Sequence, residues 1–443
     1  MLEVNVYTGA ERKIIGLPQS YGRAYTDGQG NLTFATGTDK KRNPEPYQYS
    51  DGHWKKIEDP TLSRARLVGI NQETGETYLE IDRKNNTEPI GAYTHPDYPE
   101  EHFFNSKGNF PAFFRGLKKA FDSYRIYFTS TTSDGKLGIL AVYGDRLPAD
   151  YFLVNMESKK VDFLISSSDW LDPEQLNPMH AESFVTSDGL RIGTYLTFPQ
   201  NREKKLPLVV LPHGGPHSRD YWRYSRDAQI LSQNGYLVLQ VNFRGSSGYG
   251  NHFYKAGKLE WGGKIQKDIA DSVKWAIDKG YAHPDKVCIF GGGFGGYSAL
   301  MNTIKYPELY KCAIGYVGVY DLEMMYTKGD IKDRVRGLAY LKEEVSKNKS
   351  FMRESSPIHN IDKLNIPLFI IHGEEDERVP VDHAEELLEK LAKEGKPAKS
   401  LIIAKEGHGF YSEKNNLKLY TQLLEFLDQH IGVGAAEKES NEG

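Results

Sequence analysis

The chain has 443 residues, of which 39% are hydrophobic and 26% charged, about three times a typical domain and apolar enough to bury a sizeable core. A disulfide-stapled miniature scaffold and a wholly disordered chain are both excluded. Fifty-six Lys and Arg against 60 Asp and Glu leave a formal charge of −4, too near neutral for a general electrostatic grip on nucleic acid or anionic lipid.

From Met1 to about Asn177 the chain reads as short alternating segments separated by turn dipeptides. Thr8-Gly9, Thr74-Gly75 and Asp134-Gly135 supply the positive-φ residues that tight hairpins need. Phe110 to Phe121 is the exception, with the apolar spacing of a short amphipathic helix. Strand groups recurring every few tens of residues predict a partial β-propeller over residues 1–177. The longest apolar runs, such as Leu206 to Pro212, fall far short of the roughly 18 residues of a membrane-spanning helix. The opening MLEVNVYTGAERK has no basic flank followed by an apolar stretch, so neither a membrane segment nor a signal peptide is expected and a cytoplasmic location is.

Near Ser187 the period changes, and strands now alternate with helices, which predicts a mostly parallel sheet covered on both faces over residues 178–432. Strands are expected at Leu190 to Phe198, Leu208 to Leu211, Leu237 to Val241, Val287 to Phe290, Cys312 to Val317, Leu368 to Ile371 and Leu401 to Ala404. Ile265, Ile269, Val273 and Ile277 mark one helix face, Ala384, Leu387, Leu388 and Leu391 another, and Leu423, Leu424, Leu427 and Ile431 a last one. Cys288 and Cys312 both lie in apolar strands, which predicts buried free thiols rather than a disulfide or a metal site. Residues 433–443 should fray into solvent.

The segment KVCIFGGGFGGYSAL, Lys286 to Leu300, is a β-branched strand running through glycines into helix formers. A nucleophile elbow has this layout, with Gly-x-Ser-x-Gly holding a serine at a strained tip. Gly291 and Gly295 fit the pattern, but the tip residue is Gly293. Upstream, His213-Gly214-Gly215-Pro216 follows a strand where backbone N–H groups can face an oxyanion. Downstream, Asp376 and His408 each follow a strand, and the order elbow, acid, histidine is that of α/β-hydrolases.

With these residues in view the chain resembles the prolyl oligopeptidase family of serine peptidases, and within it the acylaminoacyl-peptidase-like branch. His213 to Pro216 look like the family's HGGP, NFRGSSGYG at Asn242 to Gly250 like its NYRGSTGYG, EWGG at Glu260 to Gly263 like its EWGG, and Gly291 to Tyr297 like its GGSYGGY. The resemblance covers residues 180 to 430. It implies an α/β-hydrolase domain behind a β-rich partial propeller, and an acyl-enzyme hydrolysis of short or acylated peptides. It also implies that Asp376 orients His408, that His408 serves as base and acid, that the N–H groups of Gly215 and Phe294 form the oxyanion hole, and that no cofactor takes part.

Two departures qualify it. Gly293 replaces the family's nucleophilic serine, a loss expected to remove about six decades of kcat, roughly 8 kcal/mol of barrier. The family's propeller has seven or eight blades, whereas about 175 residues supply only about four, so the chain looks shortened at its N-terminus. An incomplete propeller would expose strand edges able to pair with a second copy. Silent peptidase, peptide-binding pseudoenzyme and esterase-type hydrolase all fit this pattern.

Other residues have competing readings. Ser298 lies about 7.5 Å along the next helix, too far to replace the tip, and Ser246 and Ser247 read as turn residues. The glycines and proline between His213 and His217 forbid a helical zinc pair, so no metal is expected. Arg378 either touches a substrate carbonyl or balances Glu374, Glu375 and Glu377. Glu100-Glu101 either hold a peptide N-terminus or sit on a solvated loop. Tyr320 and Tyr326 either line a pocket for an apolar side chain or pack.

Overall fold

A computed structural model describes residues 109–432 apart from Ser133, residues 201–204 and Val335. Before residue 109 it describes the segments 2–4, 11–13, 23–26, 32–38, 44–57, 66–70, 77–80, 91–94 and 97–103. The turns expected at Thr8-Gly9 and Thr74-Gly75 and the tail 433–443 lie outside the described residues.

The chain divides into two compact units, 1–91 and 92–443. In the first, Arg23–Thr26, Leu32–Thr38, Pro44–Ser50 and His53–Lys56 form a four-stranded antiparallel sheet in sequence order. Tyr49 and Trp54 are register partners across its last hairpin, ring centroids 4.9 Å apart, the aromatic pairing that steadies a small sheet.

Beyond the strand Glu100–Phe103, the second unit continues with the helix Asn109–Ala120, which buries Phe114 and Leu117 against Ile126, Leu140 and Val154. Those residues belong to a second four-stranded meander, Arg125–Thr131, Leu137–Tyr143, Asp150–Asn155 and Val161–Ser166. Its first hairpin turns at Asp134-Gly135, with Gly135 at φ +69° and the Lys136 N–H donating to Asp134. This meander is tied to the chain beyond residue 176 by Met179 N–H donating to Asp145 Oδ2 (2.7 Å) and Gln229 Nε2 donating to the Asp145 carbonyl (3.5 Å). The division between units therefore falls at Gly91, whereas the sequence pattern predicts a domain boundary at residue 177.

Eight strands make the main sheet: β1 (Met179–Val185), β2 (Arg191–Thr197), β3 (Leu206–Pro212), β4 (Leu237–Asn242), β5 (Ala282–Gly292), β6 (Cys312–Tyr316), β7 (Leu368–Gly373) and β8 (Lys399–Ile403). Their order is β1-β2-β4-β3-β5-β6-β7-β8. β2 runs antiparallel to both its neighbours and the rest pair in parallel. Five helices cover the sheet: α1 (Arg226–Gln233), α2 (Lys264–Asp278), α3 (Phe294–Lys305), α4 (Asp382–Lys393) and α5 (Glu413–Ile431). This is the expected α/β-hydrolase fold.

Alternation along the strands divides the core between the two faces. Val287 and Ile289 of β5 join Ile265, Ile269 and Val273 of α2 and Leu387 of α4, while Cys288 and Phe290 join Leu231 of α1 and Leu423 and Leu427 of α5. Each such fully buried side chain stabilises the fold by about 1.5–3 kcal/mol. Burial on both faces is what the near-continuous apolar runs of β3 to β7 anticipated.

Cys288 and Cys312 correct an expectation. They are register partners on adjacent strands, Cα atoms 4.8 Å apart, and are joined in a disulfide instead of remaining separate thiols. Burial was read correctly, but the alignment of β5 with β6 that sets the two side by side is not visible in a 24-residue separation. No helix among the described residues is long and apolar enough to cross a membrane.

Candidate active site

Parallel strands deliver their following loops to one edge of the sheet, and four of these loops meet there. β5 ends at Gly292 and α3 begins at Phe294, leaving Gly293 alone at the tip with φ +58° and ψ −117°. That backbone region favours glycine strongly. The turn is closed by the Gly293 N–H donating to Tyr316 O at 2.9 Å and by Tyr297 N–H donating to Gly293 O. A Cβ at Gly295 would strike the Pro212 carbonyl, so the small residue lets α3 lie directly against β3.

Asp376 stands on the loop after β7 and His408 on the loop after β8. His408 Nδ1 donates to Asp376 Oδ2 at 2.7 Å. The other carboxylate oxygen accepts the N–H groups of Arg378 (2.9 Å) and Val379 (2.8 Å), and His372 Nε2 lies 3.5 Å from Oδ2. Burial alone would raise the Asp376 carboxyl, but the hydrogen bonds from His372, His408 and the Val379 N–H outweigh it and hold the group well below the usual carboxylate range. With Nδ1–H committed to the carboxylate, the Nε2 lone pair of the imidazole turns outward. An ideal Cβ built on Gly293 would lie 3.3 Å from that Nε2.

The loop after β3 carries Gly215, which is exposed at φ +125°. His213 anchors it: the ring stacks on Phe243 at 4.2 Å and Nε2 lies 2.8 Å from Ser246 Oγ. Burial pushes the His213 imidazole down to about 4, so it sits neutral in that role. The Gly-rich loop after β4 is fixed in turn by Arg244, whose guanidinium pairs with both Asp268 of α2 and Asp188. Among the described residues, neither the Gly215 nor the Phe294 N–H donates to a protein acceptor.

A cavity of about 780 Å³ opens over the tip. Gly214, Gly215, Gly293, Phe294 and His408 line it, together with apolar groups including Trp261, Val317, Val319, Met325 and Ile331 and with the cationic Arg334, Arg336 and Arg378. Away from it, Asp321, Glu323 and His359 bring ligand-type atoms within 4.8 Å of one another. Glu323 faces Arg353 at 3.7 Å, and His359 Nε2 lies 3.8 Å from Asp321 with burial lowering its affinity for a proton.

Residues 222–434 match the prolyl oligopeptidase family. The hydrolase region belongs to that family. The chain is 31% identical over 321 residues to dipeptidyl aminopeptidase BIII of Pseudoxanthomonas mexicana, covering 69% of this chain and 46% of that protein. It is 30% identical over 314 residues to dipeptidyl peptidase family member 6 of Caenorhabditis elegans, covering 64% and 42%. The chain thus spans less than half the length of these curated relatives. The solved acylaminoacyl peptidase of Pyrococcus horikoshii aligns with a TM-score of 0.72 at 19% identity, covering 93% of this chain and 71% of that one, a likeness of fold.

Of the residues marked by the family motifs, Gly215, Gly293, Phe294 and His408 line one cleft, with Asp376 behind His408. Arg378 lines it too, its guanidinium paired with Asp330 at 2.8 Å. The two tyrosines expected at a pocket do not line this cleft. Tyr320 is wholly buried, its ring filling the space left by Gly315 and Gly318. Tyr326 faces a separate cavity of about 650 Å³ and its hydroxyl donates to Ser346 O. Tyr316, Tyr340 and Tyr411 line the cleft in their place. Ser298 is buried and accepts from Gln266, and Ser246 is consumed by His213 and the Phe243 carbonyl. Glu100 is exposed on the strand Glu100–Phe103.

Proposed function

We propose that the cleft is a peptide-hydrolase site of the prolyl oligopeptidase type in which Gly293 stands at the nucleophile position. The chain then binds short or acylated peptides without forming an acyl-enzyme. One observation carries this reading: a side chain at Gly293 would begin 3.3 Å from His408 Nε2, while Nδ1 of the same ring is held by Asp376 at 2.7 Å. A hydroxyl one bond beyond that Cβ falls within hydrogen-bond reach of Nε2, the relation a serine nucleophile needs to its base.

The roles that the family resemblance implies fit this geometry. Asp376 fixes the His408 tautomer and stabilises its cation. His408 Nε2 takes the proton of an attacking hydroxyl and returns it to the leaving amine. The Gly215 and Phe294 N–H groups face the developing oxyanion, the latter at the start of α3, where the helix dipole adds to the donor. None of these groups supplies the attacking oxygen, so Gly293 removes the covalent step and leaves the binding surface. The names of the relatives, two dipeptidyl peptidases and an acylaminoacyl peptidase, support short peptides as ligands.

The test is Gly293→Ser, assayed with a fluorophosphonate probe and with aminoacyl and N-acyl-aminoacyl anilides. Labelling and turnover are expected in the variant and neither in the unmodified chain. A folded variant that neither labels nor turns over would overturn the assignment of the site.

A further inference from the structure

The cleft has an electrostatic asymmetry that hydrolysis of a neutral amide does not require. Among the described residues, the charged side chains lining it are Arg334, Arg336 and Arg378, beside the His408 imidazole, and no carboxylate lines it. Asp330, outside the lining, organises two of the three: its Oδ2 pairs with Arg334 Nη2 at 2.6 Å and its Oδ1 with Arg378 Nε at 2.8 Å. One carboxylate thereby orients two guanidiniums and neutralises the charge of one. Glu374, Glu375 and Glu377 are exposed and lie outside the lining.

Position strengthens the point. The Arg378 N–H donates to Asp376 Oδ1 at 2.9 Å, so the Arg378 backbone is held by the carboxylate that holds His408. The same lining carries the apolar Trp261, Phe294, Val317 and Ile331. A guanidinium fork matches a carboxylate in two parallel hydrogen bonds, and an apolar surround strengthens the pairing. A ligand ammonium would meet only like charge.

We infer that this cleft recognises peptides through a carboxylate, held by Arg334 and Arg378, while an apolar ligand side chain fills the cavity. The inference rests on the reading of the cleft as a peptide site and narrows it to anionic peptides. The carboxylate is either the C-terminus of a short peptide or an acidic side chain, and the two are separable by experiment.

Calorimetry on the unmodified chain tests this with four N-acetylated peptides built on one apolar core: a C-terminal acid, its amide, an amide with one Glu, and the same amide with Gln. The expected result is that a carboxylate-bearing peptide binds at least about tenfold tighter than its neutral partner, the step that 1.4 kcal/mol makes. The gap should shrink with added salt and fall toward unity in Arg334→Gln. Arg334 is more than half exposed, so that variant should fold, and Arg378→Gln gives an independent second arm. Preference for the acid over its amide assigns the C-terminus, and preference for Glu over Gln assigns a side chain. Equal binding of all four overturns the carboxylate inference and leaves the peptide-site reading standing. Binding of none overturns both.

Discussion

His217 Nε2 lies 3.0 Å from Glu344 Oε2, joining the loop that carries Gly215 to the segment that carries Tyr340. Both of those residues line the cleft. Glu344 also pairs with Lys258 at 2.7 Å, and its backbone carbonyl accepts the Leu259 N–H. Burial would raise this carboxyl, but the hydrogen bonds from His217 and Lys258 bring it below its ordinary value. Glu344→Ala leaves a part-buried imidazole and ammonium without their acceptor, and should lower stability by about 1–3 kcal/mol. Denaturant unfolding would show it as a shifted midpoint at constant slope. Peptide affinity should fall as well, because the two walls of the cleft are then no longer tied.

Arg244 is 3% exposed and Asp268 is fully buried. The guanidinium donates to Asp268 from Nε and Nη2 and to Asp188 from Nη1 and Nη2, while the Arg244 N–H also donates to Asp268 Oδ2 at 2.9 Å. Removing the cation strands a buried carboxylate, so Arg244→Ala should lose about 3–5 kcal/mol. Arg244→Met with Asp268→Leu should lose much less, since the buried carboxylate is removed with the cation and the part-exposed Asp188 keeps Lys264 at 4.0 Å. Equal losses in the single and double variants, by urea titration, would contradict this account.

How much of the molecule was legible in the sequence depends on what kind of signal each feature leaves. β3 to β8 were readable because residues such as Leu208, Val287 and Ile370 are buried in unbroken apolar runs, which composition alone reveals. β1 was not, because MHAESFV is mostly half-buried and carries no clean alternation. Gly293, Asp376 and His408 could be marked as candidates because a glycine-rich turn and two loops follow strand ends in the order of the family's motifs, and Gly215 through the HGGP likeness; the structure brings all four together. Tyr320 was misplaced for a physical reason: two glycines, Gly315 and Gly318, open room beneath it, and a ring next to such room packs inward. Arg334 and Tyr340 lie in a segment between β6 and β7 without regular period, so nothing short of tertiary structure brings them to the cleft.

Asp220 offers a pH-dependent test. Gln240 donates to its Oδ1 at 2.8 Å, but its Oδ2 is enclosed and has no partner among the described residues. Burial pushes the carboxyl up to about 7. The folded form thus holds a proton that the unfolded chain releases near pH 4, so this group's contribution declines as pH climbs from about 4 to about 7 and is fully unfavourable above that. Asp220→Asn keeps the shape and removes the titration. Unfolding free energies at about pH 5 and about pH 8 should diverge, with the variant gaining on the parent at the higher pH. A parallel pH profile for the two proteins would count against the enclosed carboxyl.

Gly293 makes a prediction about stability that is separate from activity. At φ +58° and ψ −117° any L side chain is strained, by about 1–3 kcal/mol, and its Cβ would press within 3.3 Å of His408 Nε2. Gly293→Ala should therefore unfold earlier in denaturant than the parent, with no gained function to offset the loss. Gly293→Ser carries the same backbone strain but adds a hydroxyl able to donate to Nε2, so it should recover part of the loss. Ala and Ser variants of equal stability at neutral pH would mean that the hydroxyl does not reach the ring, and the elbow geometry would then fail as the basis for the site.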